Sequence, residues 1–103
     1  MSDWAHVNLD ADFFENLKIK KLKRRLDTDG IIALLNLWCW CAKYQPDGYI
    51  HDMTVQDIAL AANIDEVVVN PRYFVETLVD LNLLDETPAG YEVHEYQYFN
   101  PMK

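Results

Sequence analysis

Six positively charged side chains lie within eight consecutive positions near the start of the chain, and such a group can bind phosphate. This basic cluster comprises Lys18, Lys20, Lys21, Lys23, Arg24 and Arg25. Because the whole chain of 103 residues carries a net charge of −8, the remainder is strongly acidic. That distribution favours one directed contact with phosphate or an acidic partner over uniform attraction to nucleic acid. The cluster also fits a solvated helix face whose lysine stems cover apolar surface, and the sequence leaves this alternative open.

No combination of residues predicts catalysis or a bound metal. His6, His51 and His94 lie on separate predicted elements, without cysteine or carboxylate partners at the spacing of metal ligands. The sequence contains no P-loop, dinucleotide-binding glycine motif, nucleophile elbow or zinc-protease motif. No feature pairs the carboxylates for acid–base chemistry. We therefore expect a non-enzymatic protein with no catalytic residue, no metal, no cofactor and no small-molecule substrate.

The elements that position the basic cluster are organised around the apolar stretch from Gly30 to Tyr44. From residue 31 to 42, 11 of 12 residues are apolar, and Asn36 is the exception. A helix that is apolar on all sides is expected to be buried on all sides. A bilayer span needs about 20 residues, so this run predicts a central core helix containing Trp38 and Trp40. Residues 27–29 offer N-caps, and residues 45–48 should end the helix.

Two cysteines lie on this central helix. Cys39 and Cys41 are two positions apart, so their side chains point about 200° apart and cannot share a disulfide or a metal without breaking the helix. We expect two buried, reduced thiols that fill gaps in the core. The acidic N-terminus lacks the apolar core of a signal peptide, which predicts a cytoplasmic location.

Capping residues and apolar spacing predict three further helices. They run over residues 17–26 after Asn16, over residues 55–62 after Thr54, and from residue 71 to about 82 after Asn70. In the first of these helices Ile19, Leu22 and Leu26 form one apolar stripe, and the basic cluster occupies the other faces.

Strands are predicted where apolar and polar residues alternate. They cover residues 4–9, 49–51, 83–86 and 91–96, with a helical turn at 10–14 and a β-hairpin turn at 87–90. Candidate inward residues of the hairpin are Leu84, Tyr91 and Val93. The expected fold is mainly α with a small β-hairpin, a single domain over residues 1–103. Two helices joined by a tight turn and followed by a two-stranded wing are the plan of a winged helix-turn-helix.

Stretches over nearly the whole chain resemble a known family. They are Trp4 to Leu9, Asp12 to Asn16, Lys18 to Leu22, Leu37 to Trp40, Asp47 to Ile50, Thr54 to Ala62, Phe74 to Leu84 and Gly90 to Tyr96. In this order they resemble the winged-helix N-terminal domain of phage and prophage replication proteins, the replisome-organiser and DnaD-type primosomal family. The resemblance implies a non-enzymatic module that assembles a replication complex through DNA contact, self-association or both. Whether the chain is a fragment of a longer replication protein or a stand-alone relative stays open.

The charges of the predicted helix-turn-helix depart from those of a DNA-reading surface. From residue 65 to 86 there is one basic residue, Arg72, against six acidic ones. Since phosphate contacts need cations, the basic cluster is the better predicted DNA-binding surface. Asn70, Arg72 and Tyr73, at the start of the last helix, are secondary nucleic-acid-binding candidates.

Two other functions fit the sequence. The acidic second helix and the aromatic tail with Tyr96, Tyr98 and Phe99 fit a protein-interaction winged helix, a dimerisation or adaptor domain without DNA binding. An acidic surface that mimics DNA is a third alternative, although acidic surfaces mainly serve solubility. The expected partners are therefore DNA, through residues 18–25, and a second copy or a replication protein, with no membrane.

Overall fold

The structure is a computed structural model that describes residues 16–93. Over this range the chain forms three helices and one three-stranded antiparallel sheet. In chain order the elements are α1 (Leu17–Tyr44), β1 (Tyr49–Ile50), α2 (Val55–Ala61), α3 (Pro71–Asp80), β2 (Leu84–Thr87) and β3 (Gly90–Val93). The fold is thus mainly helical with a small sheet. The predictions for residues 4–14 and 94–99, including His6, His94 and the aromatic tail, lie outside the described residues.

Helix α1 joins two separately predicted helices across a kink. Asp27 has φ 59° and ψ −164°, which divides α1 into a first segment, residues 17–26, and a second segment, residues 28–44. Such a break lets the two segments follow different directions. A Cβ at Gly30 would lie 2.4 Å from the Cβ of Leu26. Glycine at this position therefore lets the end of the first segment pack closely against the start of the second.

Hydrogen bonds confirm the predicted helix starts. The side chain of Asn16 accepts from the amide two residues later at 2.8 Å, and that of Asn70 accepts from the amide three residues later at 3.0 Å. Thr54 and Asp57 form the predicted reciprocal capping box. These local bonds satisfy amides that have no partner inside the helix, so short polar motifs fix where each helix begins.

Two asparagines in left-handed conformation end α2 and α3. Asn63 has φ 57°, as its position predicted, and Asn82 has φ 60°. In each case the next amide donates to the carbonyl five positions earlier, at 3.0 Å and 2.8 Å respectively. This pattern closes a helix and redirects the chain. Because of it α3 ends at Asp80, two residues before the predicted end.

The core forms around the second segment of α1. Trp38 and the other fully buried large side chains come from all three helices, from the sheet and from the link between α3 and β2: Leu34, Leu37, Ile50, Ile58, Phe74, Leu78, Leu83 and Leu84. The apolar stripe of the first segment is also buried at Ile19 and Leu22, with Leu26 partly buried against the core. The predicted central role of this helix is therefore confirmed.

One face of the second segment is open, so the expectation of burial on every side is wrong. Ile32 is 45% exposed and Trp40 is only partly buried. These two residues and Asn36 are spaced four apart, which places them on one helix face. Helices α2 and α3 and the sheet cover the other faces, and the single polar residue of the stretch marks the face they leave uncovered.

In the sheet, β3 lies between β1 and β2. A Cβ at Gly90, where φ is 133°, would lie 2.4 Å from the carbonyl oxygen of His51, so glycine is required for β3 to pass this close to the end of β1. His51 Nε2 lies 2.8 Å from Glu92 Oε2 and joins the same two strands through side chains. Leu84 is buried, and Tyr91 and Val93 are partly buried against the core as predicted.

Both cysteines are buried thiols in the second segment of α1, as predicted. Burial raises the pKa of Cys41 to about 12, and the negative charge of Asp47 adds to this effect. The thiolate is therefore strongly disfavoured in the folded state.

The high pKa of Cys41 predicts a loss of stability in alkali. The unfolded thiol ionises near its ordinary value of 9.0 and the folded one near 12, so the unfolded state binds fewer protons between these values. The free energy of unfolding should consequently fall as the pH rises from about 8 to about 10.5. We expect this fall to be about 2 kcal/mol larger in the wild type than in Cys41→Ala. Urea denaturation at the two pH values measures this difference. An equal fall in both proteins would contradict it.

The kink predicts an unusual order of stabilities at residue 27. A left-handed φ costs a residue with a Cβ about 1–2 kcal/mol, so Asp27→Gly should be more stable than Asp27→Ala by about 1 kcal/mol. Lys23 is an exposed helical position and serves as the control. There alanine should be more stable than glycine by about 1 kcal/mol. Thermal or urea unfolding of the four variants tests the prediction, and the same order at both positions would refute it.

Candidate nucleic-acid interface

The first segment of α1 holds the basic cluster in a fixed orientation. Ile19 is 1% exposed and Leu22 is fully buried, so this stripe faces the core. At about 100° per residue, Lys20, Lys21 and Arg24 then lie on the side of the helix opposite the stripe. All three are exposed, as are Lys23 and Arg25, while Lys18 is partly buried. The segment thus presents its cations outward from a buried apolar base.

Two members of the basic cluster contact α3 or the turn that follows it. Lys18 Nζ donates to the backbone oxygen of Asn82 at 3.3 Å. Arg25 Nη2 lies 3.3 Å from Asp80 Oδ2, and the Arg25 guanidinium lies 5.5 Å from the centre of the Tyr73 ring. Since residues 18 and 25 are about two helical turns apart, the segment contacts α3 along one flank.

The contacts of Arg25 with Tyr73 and Asp80 change the pKa of its guanidinium. The side chain of Tyr73 and then the carboxylate of Asp80 raise the pKa of the Arg25 guanidinium above its ordinary value. Arg25 therefore stays charged, and part of its charge is already balanced within the protein. The other exposed cations of the segment are Lys20, Lys21, Lys23 and Arg24, and of these Lys20, Lys21 and Arg24 lie on its outer side.

The secondary candidates at the start of α3 lie in three different settings. The Asn70 side chain accepts a hydrogen bond from the Tyr73 amide, so its oxygen serves the helix cap. Tyr73 lies beside Arg25, and the structure thereby brings one residue of each predicted set together. Burial raises the pKa of the Tyr91 phenol on β3, Glu86 raises it further, and the positive charge of Arg72 opposes this. The charge of Arg72 therefore affects Tyr91 of the hairpin.

The surface around α3 and the hairpin is acidic. Beyond the basic cluster, residues 26–93 contain two basic residues, Lys43 and Arg72, against twelve acidic ones. Five of the acidic residues, Glu76, Asp80, Asp85, Glu86 and Glu92, belong to α3, β2 or β3. A phosphate backbone approaching these elements meets like charge, whereas among the described residues the outer side of the first segment presents the cations Lys20, Lys21 and Arg24.

Sequence reasoning did not anticipate the contacts that orient the basic cluster. Arg25 and Asp80 are 55 positions apart, and Lys18 and Asn82 are 64 apart. No spacing rule links residues so distant, because the contacts follow from how the first segment crosses α3. In the sequence, the one indication of a cation at this place was Asp80, an acidic residue in the last turn of α3, where a positive charge is favoured.

The described range 16–93 offers no group of three or more His, Cys, Asp or Glu that could hold a metal ion. Within that same range, no helix combines the length and the apolarity needed to cross a membrane. No protein-family model matches the chain, and neither a curated protein nor a solved structure matches it. Function is therefore inferred from the residues themselves.

The contact between Arg25 and Asp80 predicts a small coupling energy. Their side chains are 32% and 62% exposed, and exposed ion pairs contribute less than about 1 kcal/mol. A double-mutant cycle with Arg25→Ala and Asp80→Ala should give a coupling of this size that shrinks as salt is added. The matched cycle of Arg24→Ala with Asp80→Ala should be additive. A salt-independent coupling well above 1 kcal/mol would contradict the exposed geometry.

Proposed function

We propose that this domain is a winged helix-turn-helix module that binds nucleic-acid phosphates through the basic cluster and serves in the assembly of a replication complex. The observation that carries the proposal is a set of four exposed cations on the first segment, three of them on its outer side. The four are Lys20, Lys21, Lys23 and Arg24. They stand on a helix that is anchored below by buried Ile19 and Leu22, so they are held together in space.

The order and pairing of the elements support a winged helix. A helix, a short strand, two helices and a hairpin follow one another, and the short strand β1 pairs with β3 of the hairpin. Helices α2 and α3 then correspond to the helix-turn-helix, and β2 with β3 to the wing. The resemblance to phage and prophage replication proteins supplies the replication role.

The charge distribution supports a docking mode that differs from insertion of α3 into a groove. Helix α3 has one basic residue, Arg72, beside the acidic residues Glu76 and Asp80. Phosphate contacts position a protein on nucleic acid without reading its sequence. The basic cluster therefore supports sequence-independent binding, with Tyr73 close enough to Arg25 to take part at its edge.

The small size of the cation group supports an assembly role. The group has four exposed cations within residues 20–24, so one copy neutralises at most about four phosphates. Log affinity should then change with log salt with a slope near −3 for a single strand or −4 for a duplex. Such contacts bind weakly at cellular salt, and several copies on one strand are needed for tight binding.

We expect reversal of two cluster charges to weaken nucleic-acid binding at least tenfold and to make the salt slope shallower by about 2. The test variant is Lys21→Glu/Arg24→Glu, because both side chains are exposed. The readout is fluorescence anisotropy of labelled single- and double-stranded DNA over about 50 to 300 mM salt.

The matched control is Lys43→Glu/Arg72→Glu, which changes the net charge by the same amount at exposed positions outside the cluster. Its affinity should stay close to that of the wild type. Equal weakening by both variants would show a general charge effect, and a loss confined to the control would locate the contact at Lys43 or Arg72, outside the cluster. Absence of nucleic-acid binding by the wild type at low salt would contradict the proposal. The protein-interaction function would then be the better-supported hypothesis.

A further inference from the structure

A groove lies between the second segment of α1 and α2, away from the basic cluster in the sequence. Its larger part has a volume of about 770 Å³ and is lined by Trp40, Met53 and Leu60, among others. A smaller part of about 260 Å³ extends it along Ile32 and Val68. Asn36 and Asn63 line both parts, so the two parts adjoin at these residues.

Large apolar side chains remain exposed along this groove. Leu60 is 76% exposed, Val68 is 59% exposed and Ile32 is 45% exposed. Trp40 packs against Tyr44 with ring centres 5.3 Å apart and the planes tilted by 45°. Exposed apolar side chains that line a groove can be covered by a partner protein. One wall of the groove is the open face of the second segment of α1, the helix whose apolar composition predicted burial on every side.

The groove is preformed by contacts between its walls. The Asn36 side-chain amide donates to the backbone oxygen of Ala62 at 3.3 Å, which joins the open face of α1 to the end of α2. The capping box of Thr54 and Asp57 fixes the start of α2. A partner can therefore bind without first ordering these helices, which keeps the entropic cost of binding low.

The length of the groove suits a helix. Residues 32 and 44 are 12 positions apart, so the open face of α1 extends over about 18 Å, or about three helical turns. An amphipathic helix lays its apolar side chains into such a groove at positions i, i+3 or i+4, and i+7. A helix of about 12–14 residues matches the open face.

The charges along the groove select a basic occupant. The lining carboxylates are Asp29, Asp57 and Asp65, and the one lining cation is Lys43. A nucleic-acid strand would meet net negative charge here. A second copy that brought the same face to the groove would place carboxylates against carboxylates.

We propose that the groove docks an amphipathic helix of a partner protein, one that inserts apolar side chains between Trp40 and Leu60 and carries lysine or arginine along its edges. The apolar side chains cover the exposed surface of α1 and α2. The basic residues face Asp29, Asp57 and Asp65. This site does not depend on nucleic-acid binding by the basic cluster, because no residue of the cluster lines it.

The test uses a labelled synthetic helix of about 14 residues, with leucine on one face and lysine beside it. A second peptide has glutamate in place of every lysine. Wild-type protein should bind the lysine peptide at least tenfold more tightly than the glutamate peptide in fluorescence anisotropy. In the ¹⁵N spectrum, the lysine peptide should shift the indole N–H resonance of Trp40 and leave that of buried Trp38 nearly unchanged.

Leu60→Gln should weaken binding of the lysine peptide at least tenfold. Leu17→Gln is the matched control, since Leu17 is 65% exposed at the start of the first segment and does not line the groove. Circular dichroism and thermal unfolding should show both variants folded, because both side chains lie at the surface.

Three results would overturn the proposal. The first is no binding of the lysine peptide, and the second is equal binding to wild type and Leu60→Gln, which would reveal charge attraction alone. The third is a dimer of the wild-type chain in sedimentation equilibrium that Leu60→Gln dissociates and Leu17→Gln does not. That last result would assign the groove to a second copy.

Discussion

The structure depends on the burial of one apolar helix, the second segment of α1. Leu34, Leu37 and Trp38 are fully buried there, and burying each such side chain stabilises the fold by roughly 1.5–3 kcal/mol. Helix α3 supplies Phe74 and Leu78 to this core, and α2 and the sheet contribute further apolar residues. The positions of α2, α3 and the hairpin are therefore consequences of one requirement, to cover this helix. The faces that they cover are packed, and the face that they leave becomes the groove.

The kink at Asp27 gives the first segment of α1 a different environment from the second. Its apolar stripe is short, so Ile19 and Leu22 anchor it while most of its circumference faces water. Lysine and arginine are stable on such a surface because their charged ends stay hydrated. The contacts of Lys18 with Asn82 and of Arg25 with Asp80 help to fix the direction of the segment, and Lys21 and Arg24 are exposed on its outer side. A single kinked helix thus carries the central core and the basic cluster in separate parts.

Local signals predicted much of this fold from the sequence, and tertiary contacts account for most of what was missed. Asn16, Thr54 and Asn70 start their helices as predicted, because capping involves residues only a few positions apart. The open face of α1 was not predicted, since periodicity shows which faces are apolar but not how many neighbours arrive to cover them. Asn36 was the single local sign of that face. The contacts of Arg25 with Asp80 and Tyr73 could not be predicted either, because these residues are far from Arg25 in the sequence.

The two proposed surfaces differ in the forces that would drive binding, which makes them separable. Attraction between the basic cluster and phosphate depends on charge, so salt weakens it steeply. Docking in the groove gains mainly from covering Leu60 and Trp40, which salt affects far less, while Asp29, Asp57 and Asp65 add a smaller screened contribution. A basic partner helix in free solution would also be attracted to nucleic acid. When such a helix binds beside the carboxylates of the groove, its charge is partly balanced, and it would lie on the same domain as the nucleic acid that we propose the basic cluster binds. A domain with both surfaces would join a nucleic acid to a basic protein while keeping the two contacts on different segments of the same helix.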